Sequence, residues 1–187
     1  MSQHSLESLQ NHPNAKRRGE LAELAFMYRA TSEGISVAKP YGDSHPYDFI
    51  VQHGRLLLRV QVKSTFKKPN NRSDPARKKR GRFGYQVIVA RIGSKEKGIT
   101  YYSRDDIDFV ACFIAPVDIW YIIPVETLGR RHAIRLFPQG KGQPFGGLYE
   151  EYLNTWNFLK EENSSTSRYT SCGSESNPRH KNSSTSR

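Results

Sequence analysis

The segment 46–65, PYDFIVQHGRLLLRVQVKST, constrains the fold more tightly than any other part of the chain. Two apolar runs flank His53-Gly54-Arg55, and Gly54-Arg55 reads as a two-residue turn with glycine first, the placement a type II′ turn prefers. That turn fixes the pairing. Phe49, Val51, Leu56, Leu58, Val60 and Val62 fall on one face as an unbroken apolar set. Asp48, Ile50, Gln52, Leu57, Arg59, Gln61 and Lys63 fall on the other. A slip of one residue would bury the polar set, so the register is strongly specified. Asp48 then stands opposite Gln61, with Lys63 two residues further along the same face.

A carboxylate beside an amide oxygen is a hard-oxygen site suited to Mg²⁺. A neighbouring ammonium supplies positive charge for a phosphate. The competing reading is an ordinary solvated sheet face with a polar cross-strand pair, and the residue pattern alone leaves both open. Upstream, Asn14 is placed to cap a helix running to about Ser32, with Leu21, Leu24, Ala25 and Tyr28 at helical spacing as its apolar positions and Gly34 as its stop. Glu23 sits in that helix among apolar neighbours. Such a carboxylate needs a partner, and a metal would serve, unless Glu20, Glu23 and Met27 form an exposed stripe.

Further along, ISVAKP reads as a short strand, and RFGYQVIVARI as a strand apolar enough to be central in a sheet. IDFVACFIA and DIWYIIPV read as two more strands separated at Pro116, HAIRLFP as a short strand, and LYEEYLNTWNFLKEE as a terminal helix. This organisation predicts a loose leader over 1–13, one domain over 14–162 and a Ser/Thr/Arg-rich tail over 163–187, in which NSSTSR occurs twice and no core can form. His45 and His53 are too isolated for zinc, no serine lies in a nucleophile elbow, and Tyr101, Tyr102, Trp120 and Tyr121 read as packing residues.

The net charge of +11 points to a polyanionic partner, most simply nucleic acid. The charge concentrates in 67–82, where Lys67, Lys68, Arg72, Arg77, Lys78, Lys79, Arg80 and Arg82 face only Asp74. This segment is expected to contact backbone phosphates. Cys112 and Cys172 form neither a metal spacing nor a disulfide framework. No run is long enough to span a membrane and no signal core opens the chain, so a cytoplasmic location is expected.

RRGELAE, PYDFIV, VQVKST and IDFVACFIAPVDIWYIIPV, in that order, resemble the PD-(D/E)XK nuclease superfamily, over about residues 15–128. The likeness is closest to group I intron homing endonucleases and related small bacterial endonucleases. It implies an α/β restriction-endonuclease-like core, a mixed central sheet flanked by helices. It also implies Mg²⁺-dependent hydrolysis of DNA phosphodiester bonds, with Mn²⁺ able to substitute, and a homodimer or higher oligomer for a double-strand cut. By the same resemblance Glu23 supports a metal, Asp48 is the central ligand, and Gln61 takes the position usually held by Asp or Glu. The Val62 carbonyl is a further ligand, and Lys63 orients water and stabilises the phosphate. Gln61 brings no charge, so metal binding should be weaker than with an acid. Two other readings are compatible with the same residues: a catalytically inactive DNA-binding module and a structure-selective junction nuclease.

Overall fold

The structure, a computed structural model, describes residues 14–42, 44–68, 84–92, 98–138 and 147–160. The leader, Asp43, most of the basic segment including Arg72, Arg77, Lys78, Lys79, Arg80 and Arg82, and the tail with Cys172 lie outside them.

Helix α1 (Ala15–Ser32) begins where expected. The Asn14 side chain accepts from the backbone N–H groups of Lys16 and Arg17 at 2.9 and 3.3 Å, which satisfies two of the donors that every helix start leaves open. Its end is a Schellman motif. Gly34 takes a φ of +77°, its N–H bonds the Thr31 carbonyl, and the Ile35 N–H reaches back to Ala30 at 3.0 Å. Ile35 and Ala30 are then both buried in the same core.

Five strands form the main sheet in the order β1 (Ser36–Ala38), β2 (Phe49–His53), β3 (Leu56–Thr65), β7 (Phe109–Ile114), β8 (Ile119–Pro124). Only the β3–β7 pair is parallel, so the sheet is mixed. The hairpin β2–β3 has the expected register, pairing Phe49 with Val60 and Val51 with Leu58. Gly54 has a φ of +62° and Arg55 is not among the residues at positive φ, as a type II′ turn requires. β7 is buried along its whole length. The corner to β8 is a single 3₁₀ turn (Ala115–Val117) followed by Asp118 in the left-handed conformation.

Each face of this sheet has its own core. On the first, Phe49, Val51, Leu58, Val60 and Val62 join Phe109, Ala111, Phe113, Trp120 and Ile122 beneath α1. The Phe26 ring is the centre, 5.2 Å from Phe49, 5.8 Å from Trp120 and 5.7 Å from Trp156. The helix buries Ala22, Phe26 and Ala30 and leaves Leu24 and Tyr28 exposed at 61% and 69%. The apolar face expected from Leu21, Leu24, Ala25 and Tyr28 is therefore rotated away from the core. Two alanines flanking one phenylalanine let the helix lie close to the sheet, which larger side chains would prevent.

The second face of the sheet carries Val110, Cys112 and Ile114 from β7 with Tyr121 and Ile123 from β8. Here the cover is a two-stranded ribbon of β4 (Tyr85–Ile88) and β9 (Ala133–Leu136), through Tyr85, Val87, Ile134 and Leu136. The strand expected to be central is thus a layer on top of the sheet, and its alternating burial fits one apolar face. A minor ribbon pairs β5 (Arg91–Ile92) with β6 (Ile99–Thr100), and the short helix α2 (Val125–Leu128) closes β8.

The expected terminal helix is absent. In its place are two 3₁₀ turns, Glu150–Tyr152 and Trp156–Leu159. Between them Asn154 adopts a φ of +51°, donates its N–H to the Trp120 carbonyl at 2.8 Å and accepts the Trp120 N–H through its side chain at 3.2 Å. The segment docks against the β8 edge, and Trp156 and Leu159 drop into the first core. Edge pairing and aromatic burial override helix propensity here.

Candidate active site

The polar face of the hairpin is solvated only at its turn end, where Gln52 and Leu57 are exposed. Gln61 and Lys63 pair with Val110 and Cys112 of β7, so they lie on the covered second face, and Gln61 is only 8% exposed. An ordinary solvated sheet face is thereby excluded at Gln61, and Lys63 beside it is half-buried.

Asp48 stands immediately before β2. Its backbone N–H continues the ladder to the Val60 carbonyl at 3.0 Å. Its side-chain Oδ2 accepts the Val62 N–H at 2.8 Å, serving a β3 donor beyond the point where β2 ends. The same Oδ2 accepts from Gln61 Nε2, and this amide nitrogen also donates to the Val62 carbonyl at 3.3 Å. Asp48, the Gln61 amide and the Val62 carbonyl therefore converge on one point, and the hairpin register is the one that sets Asp48 opposite Gln61.

Burial pushes the Asp48 carboxyl up to about 6, and the negative charge of Glu23 adds to the rise, against the Val62 hydrogen bond, Lys63 and Lys39. A desolvated carboxylate with a second carboxylate in its field is short of positive charge. Glu23 itself is held by Lys39, whose Nζ lies 2.6 Å from Glu23 Oε2. Lys63 has its pKa lowered by burial, opposed by the charge of Asp48.

Tyr102 is the centre of the remaining contacts. Its hydroxyl donates to Gln61 Oε1 at 3.2 Å. Lys63 Nζ lies 5.3 Å, and the Arg91 guanidinium carbon 5.0 Å, from its ring centroid. The loop that carries Tyr102 is pinned from several sides. Asp106 accepts from the Ser103 N–H and hydroxyl, both at 3.0 Å, and from Arg91 at 3.0 Å. Burial would raise the Asp106 carboxyl, yet these donors hold it below its ordinary range. Arg59 donates to the Arg104 and Asp105 carbonyls and pairs with Asp108 at 3.1 Å.

Tyr102, Arg91 and Lys39 were not legible as site residues. Tyr102 looks like a packing aromatic in sequence, and the other two carry no motif. Lys67 and Lys68 are exposed just past the end of β3. Among the described residues no three His, Cys, Asp or Glu side chains cluster around one point, so a cation here would rest on two carboxylates, an amide oxygen and a backbone carbonyl. Those are hard-oxygen donors of the kind Mg²⁺ takes, and the Asp48 carboxylate is aimed at the point where the Gln61 amide and the Val62 backbone meet.

Among solved structures the chain is similar to a bacterial homing endonuclease, I-Ssp6803I, with a TM-score of 0.62 and 26% identity over 78% of this chain and 93% of that one. Among curated proteins none matches. The family model of PD-(D/E)XK endonucleases matches residues 13–149, well over half of the sequence, with all of the convergent residues inside it. The chain belongs to the PD-(D/E)XK endonuclease family.

Proposed function

We propose that the protein is a Mg²⁺-dependent endodeoxyribonuclease of homing type. The observation that carries this reading is the convergence of Asp48, the Gln61 amide and the Val62 carbonyl on one point, with Lys63 on the same face. Asp48, Gln61 through Oε1, the Val62 carbonyl and, directly or through water, Glu23 would hold the ion. When bound, it lowers the pKa of water and offsets charge on the scissile phosphate.

The protein's own groups do the rest. Asp48 is fixed by the Val62 N–H, so its position does not depend on the ion. The Lys63 ammonium, supported from below by the Tyr102 ring, orients water toward the phosphate and faces the charge that develops on its oxygens. Lys39 pairs with Glu23, and Glu23 would support the ion directly or through water. The net charge of +11 suits a DNA duplex, and the homing assignment rests on the likeness to I-Ssp6803I. A cut of both strands calls for two such sites, hence a homodimer or higher oligomer. No helix among the described residues is long and apolar enough to cross a membrane.

The test is nicking of supercoiled and branched DNA in Mg²⁺ or Mn²⁺ against EDTA. Cleavage of linear and supercoiled duplex in either metal, and none in EDTA, is the expected result. Preference for branched DNA would make it a junction nuclease. Retarded duplex with no cleavage in either metal would make it a DNA-binding module that keeps the fold.

A further inference from the structure

Gln61 points the wrong way for a metal ligand. Its Nε2 group faces Asp48 Oδ2 and the Val62 carbonyl, while Oε1 faces Tyr102. The reason is simple pairing. Two acceptors at the centre of the site repel a third, so in the absence of a cation the amide must present its donors there. With a cation at that point the requirement inverts, because only Oε1 can ligate it. Gln61 is 8% exposed and Tyr102 also 8%, so water is poorly placed to satisfy whichever end of the amide faces away.

The Tyr102 hydroxyl resolves this. It is the group at the far end of the amide, and a phenol both donates and accepts. It is a neutral phenol near neutral pH, as tyrosine ordinarily is. We infer that Tyr102 is a positioning residue for the cation site: its hydroxyl donates to Gln61 Oε1 in the arrangement described and would accept from Gln61 Nε2 when the amide turns over to ligate. A serine or a lysine at this place would lack either the reach or the ability to accept. The network around Ser103, Asp106, Arg91 and Arg59 holds the tyrosine where both settings can be met.

This inference rests on the metal reading of the site, and the test separates the two. In protein labelled at the glutamine side chain, Mg²⁺ is titrated alone while binding is followed by calorimetry. The Gln61 Nε2 protons are expected to lose their contacts with Val62 and gain contacts with the Tyr102 ring as the ion binds. Tyr102→Phe should weaken Mg²⁺ binding about three- to tenfold, because a buried amide N–H left without an acceptor is the less tolerated orphan. In a Gln61→Glu background, where no turn is needed, Tyr102→Phe should change affinity less than twofold. A merely structural tyrosine would show the same loss in both backgrounds. Heat release with no change in the amide contacts overturns the inference and leaves the metal site standing. No heat release at any Mg²⁺ concentration overturns both.

Discussion

Strand β3 has two faces and they do different work. Val60 and Val62 look into an aromatic core built on Phe26, Phe49, Trp120 and Trp156, and are 0% and 7% exposed. Gln61 and Lys63, one residue out of phase, look into a second layer where the amide meets Asp48 and the Tyr102 hydroxyl and the ammonium lies over the Tyr102 ring. Burial of apolar surface stabilises the first face, while on the second it penalises every charge it covers. The second face has an apolar core of its own beside these groups, and their desolvation is a cost to stability that a bound ion or a phosphate would offset. That is the pattern expected where function, not folding, selects the residues.

The comparison predicts effects of different kinds on the two faces. The largest belong to the polar face: Asp48→Ala and Lys63→Ala should each lower cleavage by at least about 100-fold, the scale of losing one group aimed at developing charge, with duplex affinity largely kept because positioning contacts lie elsewhere. Equal loss of binding and cleavage would blur the division. Phe26→Ala should do the opposite, destabilising the fold by about 3–5 kcal/mol in denaturant titrations while the folded fraction still cleaves. Gln61→Glu adds a charge to the donor set and should tighten Mg²⁺ binding about tenfold by calorimetry, in line with the dependence of affinity on ligand charge; unchanged affinity would remove Gln61 from the site. The smallest effect concerns the exposed pair past β3. Replacing Lys67 and Lys68 together by glutamine should lower the slope of log affinity against log salt by about two, at roughly 0.9 per phosphate contact, and leave the maximal rate nearly unchanged.

The hairpin was legible because its information is local. A glycine-first turn and an uninterrupted apolar alternation set one register, and they put Asp48 opposite Gln61 before any tertiary contact is known. The ends of α1 were legible for the same reason, through Asn14 and Gly34. Which face of α1 is buried was not, because size of side chain suggested Leu24 and Tyr28, whereas the close approach of helix to sheet needed Ala22 and Ala30. An apolar run such as 85–89 reads alike whether it is central in a sheet or a covering layer, since apolarity alone does not say whether one face or both are buried. Asn154 broke the expected last helix through contacts to Trp120, 34 positions away, that no local pattern contains. Tyr102, 41 positions from Gln61, escaped for the same reason.

The claim that this face trades stability for an ion can be tested with one substitution, Asp48→Asn, melted in EDTA and in Mg²⁺. Asparagine keeps an oxygen for the Val62 N–H and removes the buried charge. The native Asp48 pKa of about 6 lies above the 3.8 of an unperturbed aspartate, so the protonated form favours folding. That contribution is fully present below about pH 3.8 and is lost as pH rises through about 6. At pH 8 in EDTA the Asp48→Asn protein should therefore melt higher than wild type, by at most about 3 kcal/mol, with the gain vanishing toward pH 4. Mg²⁺ should raise the wild-type melting temperature and leave that of the variant unmoved, since an ion that binds only the native wild type stabilises it alone. An Asp48→Asn protein that melts below wild type in EDTA at pH 8, or one that gains as much from Mg²⁺ as wild type does, would contradict the account.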